Sequence, residues 1–491
     1  MTPDNTYDRI FLYGGSLLFI AANGLLMLMG FYYLPVLPLI LAVLYLALFF
    51  PEKLFTAVVF ITPLSIELSR LSAGLPFDLA LPTEPIIILM VLLLMFKLIM
   101  KGGTTDPGLI RHPVSLAILL YLIWLFLTTL TSSLPVVSVK FFLVRFWFIA
   151  VFYFMAIIIF RKLSNIRVFL WSYILALLIV VVYTLYRHSG YGFISQAAAH
   201  WVVRPFYNDH TAYGAVLSMF IPVLAILGFR RKSSFPLRCI TLTLLAVFMI
   251  ALVFSYSRAA WLSLAAASVV WIIIWLRIGM RSLVAFSLIS LSFIFMLRHD
   301  IVREMEKNRQ DSSANFYEHI RSMTNITSDA SNVERINRWK SAIGMFNEKP
   351  VFGWGPGTYM FLYAPFQYSY DRTIISTNSA DGGDAHSEYL GPLAESGLPG
   401  LISLLVLIFT VLYTGFRLCR NLRHRRDRML ATGILVGLIT YLVHGVLNNF
   451  LHTDKLAVPF WGFVAILVAL DLYGKKRKHS KAGPPRKISL N

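Results

Sequence analysis

Long apolar runs separated by short polar breaks occupy most of the chain. They fall at 11–31, 34–50, 54–69, 84–100, 114–133, 139–160, 166–186, 210–229, 237–256, 259–276, 280–297, 397–416, 429–450 and 456–473. Most reach the roughly 17–25 residues that a helix needs to cross the hydrocarbon core. The pattern predicts about fourteen spans, or about twelve if the short pair divided by Pro51-Glu52-Lys53 does not cross. The fold class expected is all-α: a polytopic transmembrane helix bundle with one large external loop that contains helices.

Polar segments set the organisation. N-terminal spans extend to 297, a large loop covers 298–396, C-terminal spans cover 397–473, and a basic tail covers 474–491. A second, smaller external segment is 187–209. A loop as long as 298–396 inside a compact protein is usually functional. Within it Ile336, Trp339, Ile343 and Phe346 recur at the 3–4 spacing of an amphipathic helix. Pro350 and the run Gly353-Trp354-Gly355-Pro356-Gly357 then demand tight turns.

Composition agrees: of 491 residues 57% are hydrophobic and 14% charged, and mean hydropathy is +0.70. The net charge of +20 is unevenly spread. With both termini cytoplasmic, most Lys and Arg fall inside, including Arg161-Lys162, Arg230-Arg231-Lys232, the cluster from Arg417 to Arg428 and the tail from Lys475 to Lys487. Most Asp and Glu fall outside. That asymmetry orients membrane proteins, so the basic character reports topology and anionic lipid and does not suggest nucleic acid. Met1–Arg9 has no basic n-region, and the run after it is too long for a cleaved signal, so it reads as a retained span. Cys239 and Cys419 lie at cytoplasmic helix ends and imply no disulfide.

Four external features carry chemistry. His386-Ser387-Glu388-Tyr389-Leu390 opens the first span after the large loop. If a helix begins near His386, the positive helix end keeps the imidazole neutral and available as a base. The plain alternative is a structural histidine, but Asp381, Asp384 and Glu388 surround this one. Asp384, His386 and Glu388 offer oxygen and nitrogen ligands, yet no HExxH or cysteine pair supports a metal. Ser257-Arg258-Ala259-Ala260-Trp261 places an arginine beside hydrocarbon. There it is either an interfacial residue or a binder of lipid-linked phosphate, since a guanidinium forks onto phosphate oxygens. Arg204-Pro205-Phe206-Tyr207-Asn208-Asp209-His210 reads equally as a helix start capped by Asn208 or Asp209. The helix Glu334–Phe346, carrying Arg335 and Arg338, reads as a surface helix or as the roof of a cavity. No GxxxxGK[ST] and no GxGxxG followed by an acidic residue occurs, so no nucleotide cofactor is expected.

In their order these segments resemble the O-antigen ligase and polymerase superfamily, integral membrane glycosyltransferases of bacterial surface polysaccharide assembly. The resemblance rests on Ser257 to Trp261, on Glu334-Arg335 through Phe352-Gly353-Trp354-Gly355-Pro356-Gly357-Thr358-Tyr359, and on His386 to Leu390 with Glu395-Ser396-Gly397-Leu398-Pro399-Gly400. It spans roughly 200–460. It implies a bacterial inner-membrane enzyme with a periplasmic active site. The implied reaction is a metal-independent, inverting transfer of a glycan from undecaprenyl diphosphate to an acceptor hydroxyl, in ligases that of lipid A-core. The family's functional histidine carries over to His386 and its Ser-Arg arginine to Arg258. Arg204 is the best match for a further arginine, although Asp209-His210 stands where the family has a Pro-Asn-like pair. The resemblance leaves ligase, polymerase and protein O-oligosaccharyltransferase open.

The expected mechanism neutralises the leaving diphosphate with Arg258, aided by Arg204, Arg335 or Arg338, while His386 takes the acceptor proton. Glu388 or Glu395 would fix the imidazole tautomer. A competing class is a lipid-linked glycan transporter, which would show charged, broken helices in both halves and internal repeats. Neither is present in the sequence.

Overall fold

The computed structural model describes residues 6–31, 34–68, 79–100, 106–230, 234–277, 330–372 and 383–474, with single positions between. Apolar runs are helical there because in hydrocarbon a backbone amide and carbonyl find partners only within their own helix. The chain divides into two compact units, Met1–Ala57 and Val58–Asn491. The first holds α1 (Thr6–Leu28), α2 (Val36–Phe49) and the start of α3 (Pro51–Ile61).

The second unit contains ten helices, among the described residues, that are long and apolar enough to cross a membrane. They are α4 (Thr83–Met100), α5 (Pro113–Leu130), α6 (Pro135–Phe160), α7 (Ser164–Ser189), then, beyond the short α8 (Gln196–Val202), α9 (His210–Gly228), α10 (Phe235–Phe254) and α11 (Arg258–Trp275). The extramembrane α12 (Ala330–Glu348) precedes α13 (Leu390–Asn421), α14 (Arg425–His444) and α15 (Asp454–Tyr473). The protein is thus an all-α, multi-pass membrane bundle.

Two expected spans need comment. The run 54–69 does not cross: α3 stops at Ile61, Thr62–Leu64 forms a 3-10 turn containing Pro63, and Ile66–Glu67 (β1) pairs antiparallel with Ala80–Leu81 (β2). Polar groups from the far end of the chain hold this turn. Lys455 Nζ donates to the carbonyls of Thr62 (3.0 Å) and Ser65 (2.7 Å), and Asp454 accepts from Ser65 Oγ (2.5 Å) and Thr83 Oγ1 (2.8 Å). A lysine and an aspartate buried together are tolerated because each finds such partners. The run 280–297 lies, but for single positions, outside the described residues, as do 298–329, Asp381 and the basic tail from 475. α13 is helical from Leu390 and is interrupted at Gly397 (φ 68, ψ −173), where the expected apolar run begins.

Helix pairs that pack most extensively are α9 with α14 and α10, α13 with α5, and α11 with α14. Without a hydrophobic force between helices in lipid, close backbone approach at small residues supplies the contact. A Cβ on Gly437 would stand 2.5 Å from the Met219 carbonyl oxygen, and one on Gly214 would stand 2.7 Å from Ser257 Cβ. Apolar side chains such as Leu120, Ile123, Val182 and Phe409 remain exposed, as lipid-facing positions do. α9, α11 and α13 start, and α14 ends, at one end of the bundle. Arg230, Arg277, Arg420 and Arg425 occupy the other.

Candidate active site

The Gly214 contact brings α9 against the first turn of α11, so it also fixes Arg258. Ser257 caps that helix, its Oγ accepting from Ala260 N (3.4 Å), and Arg258 is the first helical residue, half-buried. The preceding turn is held by Tyr256, whose backbone is left-handed (φ 52) and whose hydroxyl donates to the Phe193 carbonyl (3.1 Å). Trp261 Nε1 donates to the Leu252 carbonyl (2.8 Å) and closes the turn.

His386 stands on the segment before α13 with φ 47, a left-handed backbone that is uncommon outside glycine and worth attention at a functional site. Asp384 sustains it: Oδ1 accepts from His386 N (3.0 Å) and lies 3.3 Å from His386 Nδ1. The Asn449 amide lies against both oxygens of that carboxylate, and with its NH2 turned toward them, as two acceptors require, it donates at 2.8 and 3.0 Å. Both side chains are about one-third accessible (36% and 34%), so the pair is sheltered yet reachable. The helix starts four residues later than the sequence suggests, since Ser387 Oγ accepts from the amides of Tyr389 and Leu390, each at 3.3 Å. The positive helix end is therefore not what keeps His386 neutral. Burial lowers its pKa first, and the charges of Arg335 and Arg338 lower it further. Burial raises the Asp384 carboxyl to about 6, against the opposing pull of the His386 amide and Arg338.

Arg335 links the groups. Its Nε donates to the Leu447 carbonyl (3.3 Å), it repels Arg258, and Asp209 and Asp384 attract it. It acts on His386 as well. Asp209 is the N-cap of α9, accepting from Thr211 N (2.9 Å), and its Oδ1 is 2.9 Å from His210 Nδ1. Burial alone would raise the Asp209 pKa, but the His210 contacts and the Thr211 amide and hydroxyl hold it well below the usual carboxylate range. His444, fully buried at the end of α14, feels the fields of Asp209 and Arg335.

Other candidates have structural partners. Arg338 is buried, donating to Glu334 Oε1 (2.7 Å) and to the Asp384 carbonyl (3.3 Å), with its guanidinium 4.8 Å from the Tyr363 ring centre. A side chain on Gly383 would collide with that guanidinium. Arg338 thus supports the His386 segment from beneath. Glu388 Oε1 accepts from Tyr441 OH (2.6 Å), Phe450 N (2.8 Å) and Leu451 N (2.9 Å), tying the segment to the link between α14 and α15. Glu395 accepts from Tyr359 N (3.0 Å) and Arg145 acts on it. The carboxylate beside the imidazole is Asp384, and these two face other partners. Arg204 is exposed, and its backbone carbonyl, accepting from Tyr183 OH (3.1 Å) and from Arg187, is the part engaged. Arg335 acts on both Arg258 and His386, and among the described residues no interaction joins the Arg204 side chain to these three.

Sequence reasoning passed over Asp209, Asn449, His444 and Arg145. Asp209 looked like an ordinary cap, which it also is. Arg145, buried in α6 and donating to the Leu451 carbonyl (3.1 Å), carried the one available signal, a charge inside an apolar run.

These features define a multi-pass helical membrane protein whose charged, base-bearing site gathers at one end of the bundle. Residues 240–405, about a third of the chain, match the family described as O-antigen ligase, in line with the resemblance read from the sequence motifs. The matched stretch includes Arg258, Arg335, Arg338, His386, Glu388 and Glu395 and stops short of Arg204, Asp209 and Asn449. No curated protein sequence matches the chain.

Proposed function

We propose that the protein transfers a glycan from undecaprenyl diphosphate to an acceptor hydroxyl at the periplasmic face of the bacterial inner membrane, ligating O-antigen to lipid A-core. The observation that carries this reading is Arg335, whose charge acts on both Arg258 and His386. Two guanidinium groups that repel one another favour a multiply charged anion able to reach both, and a diphosphate has that charge and those oxygens.

The acceptor oxygen attacks the anomeric carbon while His386 Nε2 takes the hydroxyl proton. The bond from that carbon to the phosphate oxygen breaks, and its electron pair leaves with undecaprenyl diphosphate. Arg258 and Arg335 absorb the growing charge. Attack opposite the leaving group inverts the anomeric centre. The Asp384 carboxylate accepts a hydrogen bond from the Nδ1–H of His386, which keeps that proton on Nδ1 and leaves Nε2 free as the base, with Asn449 holding the carboxylate. Arg204 is left without a role in this scheme.

The test is a reconstituted reaction with labelled undecaprenyl-diphosphate glycan and lipid A-core. His386→Ala should remove a factor of about 10²–10⁴ contributed by a general base, and Arg258→Ala or Arg335→Ala about 10²–10³ each. Arg204→Ala should be mild. Wild-type rates in the first three variants would refute the assignment. Longer lipid-linked chains in place of glycosylated lipid A-core would make the protein a polymerase.

A further inference from the structure

A cavity of about 1160 Å³ opens between α9, α11, α13 and α14, at the end of the bundle away from His386. Helix α11 has 18 residues. At about 1.5 Å per residue, the end of α11 and the basic rim beyond it lie roughly 27 Å from Arg258, while the apolar wall reaches up the helix to Leu264.

Its rim is basic. Arg277 follows α11, Arg420 lies in the last turn of α13, and Arg425 and Arg428 open α14. Among the described residues no acidic side chain lines the cavity, and none of these four guanidinium groups has a carboxylate partner. Elsewhere at this end Arg161 is paired with Asp106 and Arg417 with Asp471. Arg277 also keeps a left-handed backbone (φ 58) just past the helix end, a position that helices usually give to glycine. Below the rim the wall is apolar, formed by Ile221, Leu264 and Val436 together with Trp271 and Trp275, which are one helical turn apart. Tryptophans are enriched at headgroup depth.

We propose that this cleft binds one anionic diacyl phospholipid. Its phosphate lies among Arg277, Arg420, Arg425 and Arg428, and its acyl chains lie along the apolar wall. Guanidinium groups fork onto phosphate oxygens, and a cluster of cations with no counter-charge among the described residues selects an anionic headgroup over a zwitterionic one. The volume exceeds the roughly 300–1,000 Å³ typical of drug-sized ligand sites, so it fits a whole lipid. A bare phosphate would leave the apolar floor in water. A diacyl lipid is the occupant because the surrounding leaflet supplies it in bulk, and occupancy follows concentration. The inference is independent of the glycosyl-transfer reading.

Native mass spectrometry of the full-length protein, released from nanodiscs holding equal phosphatidylglycerol and phosphatidylcholine, reads the occupant directly. The wild type should retain one phosphatidylglycerol. The variant R420Q/R425Q/R428Q should retain at least tenfold less, and K162Q/R230Q, altered at other basic residues of the same end, should match the wild type. S268W adds bulk to the cavity wall without changing charge and should also reduce lipid retention, which keeps the test sound if the triple variant folds poorly. Four results would overturn the proposal: equal retention of phosphatidylcholine, equal loss in K162Q/R230Q, full displacement by millimolar inorganic phosphate, or preferential uptake of undecaprenyl phosphate from an equimolar mixture.

Discussion

At the scale of single residues the decisive pair is Asp384 and His386. The carboxylate lies 3.3 Å from Nδ1 and also accepts the His386 backbone amide, so one side chain sets both the ring and the turn. Their titration has a definite sign. Burial raises Asp384 to about 6, whereas His386 is held below its ordinary value by burial and by Arg335 and Arg338. Lowering the pH through about 6 therefore protonates the carboxylate while the imidazole is still neutral, and the Nδ1 acceptor is lost. Transfer should decline on that acidic limb and level off above it. Asp384→Asn, which cannot titrate, should run slower by on the order of 10²-fold and show no such limb. A limb of unchanged midpoint in this variant would assign it to another group.

At the scale of elements, the Gly-rich turn after α12 docks on the first turns of α13. Trp354 N donates to Ala394 O (3.1 Å), Gly355 N to Glu395 O (2.8 Å) and Leu398 N to Pro350 O (2.8 Å). Gly353 makes this possible: its φ is +66, and a Cβ there would strike the Glu395 carbonyl. Gly353→Ala should lose about 1–2 kcal/mol from the left-handed backbone alone, before the clash is counted. A lowered melting temperature and lost transfer are expected. Gly14→Ala, with open space around it, should melt like the wild type. The glycine run announced tight turns in the sequence, but not what they dock on. The apolar period of α12 misled in a similar way. Its buried face is Glu334, Asn337, Arg338, Ser341, Ala342 and Met345, while Ile343 is 45% exposed. Polar partners decide this, since Asn337 Nδ2 donates to Gln367 Oε1 (2.8 Å) and Glu334 holds Arg338. A hydropathy period cannot register such polar pairings.

At the scale of the whole molecule, the spans were legible because a continuous apolar run has few alternatives in lipid. The exception at 54–69 fails for a stated reason, because Asp454 and Lys455, remote in sequence, hold a turn there. His386, Arg258 and Arg335 stood out in the sequence as polar residues in an apolar chain, whereas their placement near Asp209 and Asn449 needed coordinates. Orientation is open to a direct check. Cys239 is exposed near the start of α10, and the Tyr256 hydroxyl bonds to the 187–209 segment at the far end of that helix. In intact cells an impermeant maleimide should label Tyr191→Cys and spare Cys239 until the membrane is permeabilised. Cys419, buried, should stay unlabelled throughout. Labelling of Cys239 from outside would reverse the bundle.

The left-handed backbone at His386 (φ 47) has one more consequence. Glycine adopts that conformation without steric cost, so His386→Gly deletes the ring without disturbing the chain that carried it. The vacated space is the shape of a small heterocycle and still ends at Asp384. Free imidazole added to this variant should restore part of the lost transfer in a saturable way, and should do nothing for Arg258→Ala.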